Sequence, residues 1–184
     1  VSSDAVHPPA ALTSGESWVR GWDYANGTTA LVISSVDSPP ELFVDVAGVQ
    51  TQLTQLNAAY RASVAPLPWE RFTVPTTDGT NEIDAWIMRP DGFDPAKRYP
   101  VILNVHGGPH TQYGETYFDE AQFQAKAGFV VLMSNPRGGS GREESWGQAI
   151  LGPKHPVRPG TGWGSVDVDD ILAVLDAALE RYPF

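Results

Sequence analysis

The residues with the clearest capacity for chemistry are His106-Gly107-Gly108-Pro109-His110. Two adjacent glycines let a backbone turn sharply and bring amide N–H groups against a reacting carbonyl with no Cβ in the way. Such amides hold the negative oxygen of a tetrahedral intermediate without reorganising, which is what acyl transfer needs. The Gly108 N–H is the leading candidate donor, with Gly107 beside it. A Gly-Gly-Pro turn that merely ends a strand is the competing reading; the apolar run before it, Val101–Val105, favours the oxyanion role. His106 is a possible contributor but not the general base, because a histidine ahead of the nucleophile has the wrong chain order for Ser…Asp…His chemistry. A metal site is disfavoured. Gly-Gly-Pro between His106 and His110 cannot form the helix of a His-Glu-x-x-His zinc site, and no Glu follows His106.

A second glycine-rich stretch is Asn135-Pro136-Arg137-Gly138-Gly139-Ser140-Gly141-Arg142. It fails as a nucleophile elbow, since Arg142 stands where the pattern around Ser140 requires Gly. It fails as a dinucleotide loop, because Glu144 occupies the place of the third glycine. A tight structural turn in which Arg137 pairs with a carboxylate accounts for it better, and Ser140 is then a decoy. Asp167, Asp169, Asp170, Glu143 and Glu144 could suggest paired carboxylates for glycoside chemistry. Their places in the first turns of helices explain them with fewer assumptions.

These motifs need elements to carry them. Up to about residue 65 the pattern is short strands: Gly15–Trp22, Thr29–Ser34 and Glu41–Val46, with a hairpin turn at Asn26-Gly27. Ser38-Pro39-Pro40 and Gly48 punctuate the connections, and Asn57–Pro68 reads as a linker or crossover. Glu70–Pro75 and Glu82–Arg89 then make a strand pair turning at Asp78-Gly79. Val101–Val105 and Phe129–Met133 read as strands buried on both faces. Tyr117–Ala127 reads as a helix stopped at Gly128, and Gly141–Ile150 as another. Val168, Ile171, Leu172, Leu175, Leu179 and Tyr182 fall on one face of a last helix, with Ser165 as its N-cap. The succession after residue 100 argues for a doubly wound α/β sheet.

Bulk properties narrow the function classes. With 41% hydrophobic residues and six Trp among 184, the chain can bury a core. A net charge of −10 argues against nucleic acid or an anionic membrane as partner. The absence of cysteine removes disulfides, thiolate nucleophiles and Cys-based metal sites, and suits a cytoplasmic location. No apolar run approaches a membrane span, and no secretory signal opens the sequence.

Taken together, Glu70-Arg71-Phe72-Thr73, Ala85-Trp86-Ile87-Met88-Arg89-Pro90 with Gly92-Phe93, His106 to His110 with Tyr113-Gly114, Asn135-Pro136-Arg137-Gly138, and Trp163-Gly164 with Asp167 to Asp170 form an ordered set. The set resembles the prolyl oligopeptidase family of serine peptidases, in its acylaminoacyl-peptidase and dipeptidyl-peptidase-like branch. The resemblance implies the first half of an α/β-hydrolase domain preceded by β strands from the end of a β-propeller. Residues 1–65 would be the closing blade and linker, and residues 66–184 the N-terminal half of the catalytic domain. It implies that the Gly-x-Ser-x-Gly-Gly elbow and the catalytic Asp and His lie beyond this sequence, so the chain alone is expected to be inactive. Gly108 and Gly107 carry over as the oxyanion loop; relatives with Tyr at the place of His106 use its hydroxyl there. The implied partners are a short peptide substrate and a completing segment that carries the triad. No cofactor is implied. The Leu151–Thr161 stretch is a departure from the family pattern. An esterase of the α/β-hydrolase type, a non-catalytic hydrolase-like binding protein and a nucleotide-binding module are the alternatives.

Overall fold

The computed structural model describes residues 11–107, 110–155 and 161–182. The chain divides into two compact units, Val1–Val64 with Glu115–Tyr117, and Ala65–Gly114 with Phe118–Phe184.

In the first unit, β1 (Trp18–Ala25), β2 (Thr28–Ser35), β3 (Ser38–Val46) and β4 (Val49–Gln52) form a four-stranded antiparallel sheet in chain order. The β1–β2 turn is the one expected from Asn26-Gly27, with φ of 50° and 80°. Positive φ at both central residues matches the twist of a two-residue hairpin. Ala47 and Gly48 repeat that conformation, at 54° and 82°, and lead into β4, which the sequence pattern did not announce. The first strand runs up to its turn at Ala25 rather than ending at Trp22. Pro39 and Pro40 lie inside β3, where the β2–β3 register is irregular between Ile33 and Ser35 and a missing N–H is tolerated. A short helix, α1 (Ala58–Val64), occupies the expected linker. Its entry is tied down by the buried Glu41, whose carboxylate accepts the N–H groups of Leu56 and Asn57 at 3.0 and 2.8 Å.

The second unit is a mixed sheet of β5 (Trp69–Pro75), β6 (Glu82–Met88), β7 (Val101–Asn104) and β8 (Val130–Asn135), in the order β5-β6-β8-β7. β7 runs parallel to β8, and the other neighbours are antiparallel. Helices α2 (Asp119–Lys126), α3 (Glu144–Gln148) and α4 (Val166–Arg181) complete it. Alternation along β8 builds a core on each face. Val130 and Leu132 pack in the cluster holding Val174 and Ala178 of α4, while Val131 and Met133 pack in the one holding Ala121 and Ala125 of α2. The sheet is thus covered on both sides, as a doubly wound arrangement requires. Gly128, at φ 99°, ends α2 as expected, and its N–H donates to the Ala125 carbonyl at 3.0 Å.

Three expectations need correction. β7 is half-buried rather than enclosed, because among the described residues it has a strand on one side only. The apolar face read for α4 is not the one it buries most deeply. Asp170, Val174 and Ala178 are wholly enclosed, whereas Val168, Leu172 and Leu179 are 41%, 49% and 52% exposed. The helix is therefore apolar on two sides, and the sheet covers one of them. Ser165 stands at the N-cap position without a side-chain cap bond. Asp167, inside the first turn, instead reaches back to the residues before the helix, its carboxylate accepting the N–H groups of Gly164 and Ser165 at 3.1 and 2.7 Å.

Candidate active site

Parallel pairing of β7 with β8 brings the ends of both strands to the same edge of the sheet, so the segments that follow them lie together. The segment after β7 begins at Val105, and the one after β8 at Pro136. Two backbone bonds lace them. The His110 N–H donates to the Gly138 carbonyl at 2.8 Å, and the Ser140 N–H donates to the Thr111 carbonyl at 2.9 Å. Gly138 is held in turn, its N–H donating to the Trp146 carbonyl at 2.8 Å. It has φ 95°, and a Cβ there would collide with the Ile150 side chain, so both conformation and space demand glycine.

Arg137 pairs with a carboxylate as the sequence suggested, and the partner is Asp170 of α4. Asp170 is fully buried and accepts three bonds from Arg137: from the backbone N–H at 3.0 Å, from Nε at 2.9 Å and from Nη2 at 2.7 Å. The outer guanidinium nitrogen donates to Asp78 Oδ2 at 2.6 Å. The bond to Asp170 is the main cause that raises the Arg137 pKa further above its ordinary value. Asp78 is held well below the usual carboxylate range, first by the Thr76 hydroxyl and then by Thr80. Asp170 was expected to serve the α4 dipole; its burial and three bonds show that it anchors the turn after β8. A carboxylate out of water is sustained only by such pairing.

The Thr111 hydroxyl, with one proton to give, donates to the Gly107 carbonyl at 2.9 Å. Its 3.0 Å contact with His106 Nδ1 is therefore made by an Nδ1–H donating to the Thr111 oxygen. Nε2 is then the unprotonated nitrogen, and it is buried with no hydrogen-bond partner among the described residues. Burial lowers the pKa of His106, consistent with a neutral ring. The ring packs edge-on against Tyr113, with centroids 5.2 Å apart. Tyr113 is itself clamped by Asn135, which accepts its N–H at 2.8 Å and donates to its carbonyl at 2.9 Å.

Beside this segment lies a cleft of about 290 Å³, lined in part by His106, Arg137, Gly138, Trp163 and Asp167. Of the residues expected to do chemistry, Gly107 and His106 lie in the segment after β7, and His106 borders the cleft. Gly108 lies outside the described residues, as do residues 156–160 of the Leu151–Thr161 stretch. The Ser140 hydroxyl donates to Gln112 Oε1 at 3.2 Å, an amide that cannot act as a base. Thr111, Asn135 and Asp170 were missed as parts of the site. Asn135 and Asp170 act through contacts between segments far apart in sequence, whereas Thr111 contacts His106 and Gly107 a few residues away; no local pattern marks any of them.

The model of the Prolyl oligopeptidase family matches residues 115–184. Over 153 residues the chain is 35% identical to the uncharacterized peptidase YuxL of Bacillus subtilis, covering 82% of this chain and 22% of that protein. The chain belongs to the prolyl oligopeptidase family. Dipeptidyl-peptidase 5 of Porphyromonas endodontalis is 28% identical over 145 residues, 77% of this chain and 21% of its own length. Among solved structures, the acylaminoacyl peptidase of Pyrococcus horikoshii superposes with a TM-score of 0.80 at 27% identity, over 93% of this chain and 26% of that one. This stretch of the prolyl oligopeptidase family spans about a fifth of the length of the curated relatives it matches, 22% and 21% for these two. Among the described residues, no helix is long and apolar enough to cross a membrane.

Proposed function

We propose that this chain is part of a serine peptidase that hydrolyses short peptides through an acyl-enzyme, and that it supplies the oxyanion loop while the Ser, His and Asp come from another segment of the protein. The observation that carries this reading is the placement of the segment after β7. It leaves the end of a parallel strand, is laced to the turn after β8, and borders a cleft. Crevices beyond the carboxyl ends of strands are where open α/β sheets hold their ligands. In the reaction, the serine would attack the peptide carbonyl and the histidine would take its proton. The Gly108 N–H, with Gly107 less directly, would hold the oxyanion until the amine leaves.

In this reading β1–β4 are the closing blade of a β-propeller, and residues from about 66 begin the α/β-hydrolase domain. A sequential four-stranded meander with Trp22 and Tyr24 71% and 60% exposed fits a blade that has neighbours. The second unit likewise leaves room for a completing segment. β7 has one unpaired side, and Val168, Leu172 and Leu179 offer apolar surface with nothing packed on it among the described residues.

The test uses a fluorophosphonate probe on the full-length protein and on residues 1–184 alone. A single labelled serine outside these residues, with no label on the short form, is expected. Release of p-nitroaniline from short peptide anilides would separate a peptidase from an esterase, which would turn over only p-nitrophenyl esters. Stoichiometric labelling of Ser140, or a full-length protein that neither labels nor cleaves, would overturn the reading.

A further inference from the structure

The turn ahead of α4 holds an indole in a fixed place. Trp163 lies between Gly162 and Gly164, whose φ angles of 89° and 80° suit glycine and few other residues. The Ser165 hydroxyl donates to the Gly162 carbonyl at 2.5 Å, and the Asp167 carboxylate accepts the Gly164 N–H at 3.1 Å. Just upstream, the N–H and the hydroxyl of Thr161 both donate to the Ala149 carbonyl, at 3.2 and 2.9 Å. The backbone on either side of Trp163 is thus fastened, yet the side chain it carries is 73% exposed. Val105, just past the end of β7, is 56% exposed. Both line the cleft of about 290 Å³.

A lone apolar side chain on a surface needs no explanation, but these two meet Pro136, Ile150 and Ile171 in one concavity. The two charged side chains on its wall are engaged within the protein. Arg137 donates to Asp170, Asp78 and Thr77, and Asp167 accepts the N–H groups of Gly164 and Ser165. The His106 ring has Nδ1 on Thr111 and Nε2 enclosed by the protein. What the cleft presents to a ligand is therefore hydrocarbon and an aromatic ring. Its volume stands at the foot of the range for small-molecule sites, about 300–1,000 Å³, which suits one side chain and not a whole ligand. We propose that this cleft seats a single large apolar side chain of the peptide substrate, such as Leu or Phe, and that Trp163 sets the preference for it. The proposal rests on the peptidase reading given above and adds a substrate class to it. Seating such a side chain removes apolar area on both partners from water. An acidic side chain would lose its water there and meet Asp167.

The experiment uses full-length wild type, Trp163→Ala and Trp163→Phe on short fluorogenic peptides in which one position at a time carries Ala, Leu or Phe. The readout is kcat/KM, with active sites counted by fluorophosphonate labelling. An apolar pocket distinguishes side chains that differ by one methylene by about 10–200-fold. Wild type is therefore expected to prefer Leu or Phe over Ala by at least about 10-fold at one position. In Trp163→Ala that preference should fall at least about threefold, since the other walls remain, and Trp163→Phe should keep more of it than alanine does. A wild type with no apolar preference at any position would overturn the proposal. So would a smaller fall, a phenylalanine variant no better than alanine, or an equal slowing on every peptide, which would mark a structural role. Because the indole is mostly exposed, the alanine variant should melt as wild type does. If it fails to fold, Trp163→Gln takes its place with the same criteria; failure of both would show the indole packed on a further segment of the protein and would overturn the proposal. A wild type that neither labels nor cleaves refutes the peptidase reading and this proposal with it. A wild type that does both while the alanine variant keeps its preference refutes the proposal alone.

Discussion

Removing the Asp170 carboxylate should unlock the turn after β8. In Asp170→Ala the Arg137 guanidinium loses the acceptor of its 2.9 and 2.7 Å bonds, and the Arg137 backbone N–H loses its 3.0 Å partner. The arginine is only 8% exposed, so water replaces these bonds poorly. Breaking one side of a buried ion pair costs about 3–5 kcal/mol. Asp78 remains bonded to the other end of the guanidinium at 2.6 Å, and its side chain reaches solvent, so the lower part of that range applies. Asp170→Asn should cost nearly as much, because one carboxylate oxygen becomes an NH2 that must face a guanidinium donor. With a urea slope of about 2 kcal/mol per molar, a loss of about 3 kcal/mol moves the midpoint down by about 1.5 M. Tryptophan fluorescence can follow the transition, since Trp146 is buried in the core beside this turn. The paired change Arg137→Met with Asp170→Leu should recover most of the loss, as apolar replacement of a buried pair often does. A midpoint within about 0.3 M of wild type in Asp170→Ala would refute the reasoning that this pair fastens the turn to α4.

Other consequences can be tested alongside. Gly138→Ala should destabilise by at least about 1 kcal/mol in the same urea assay, since it combines a strained φ of 95° with a collision on Ile150; an unchanged midpoint would contradict the tight fit. Glu70 is held below the usual carboxylate range, chiefly by the Tyr182 hydroxyl at 2.6 Å and then by Arg89. Its stabilising contribution is thus full above the ordinary carboxylate pKa and fades as pH falls through the lowered one. The wild-type advantage over Glu70→Gln in thermal melting should be present at neutral pH and shrink on acidification towards pH ~3; a constant difference would count against that link. Leu172→Asp should destabilise the full-length protein by more than about 2 kcal/mol while changing residues 1–184 by less than about 0.5 kcal/mol. Equal small effects in both would argue against a segment covering that side of α4.

Much of the architecture was legible in residue order, because local chemistry decides it. Asn26-Gly27 and Asp78-Gly79 announced their turns, Gly128 its helix end, and the apolar run Phe129 to Met133 a strand enclosed on both faces, which the structure starts one residue later at Val130. Strand neighbours were not legible. Nothing local says that β6 lies beside β8, or that β7 pairs on one side only among the described residues, since pairing is settled by contacts across the sheet. The two apolar sides of α4 looked like one, because periodicity counts apolar residues and does not say which of them meet a sheet.

The sequence by itself determined where glycine freedom, helix periods and apolar runs fall, since these depend on residues a few places apart. Only the tertiary structure decided that Arg137 meets Asp170, that Asn135 clamps Tyr113, and that the Thr111 hydroxyl rests on the Gly107 carbonyl. The last is local in number but not in cause. Four residues apart in sequence, the two groups meet because Ser140 and Gly138, on a turn nearly thirty residues away, hold the backbone of Thr111 and His110 in place.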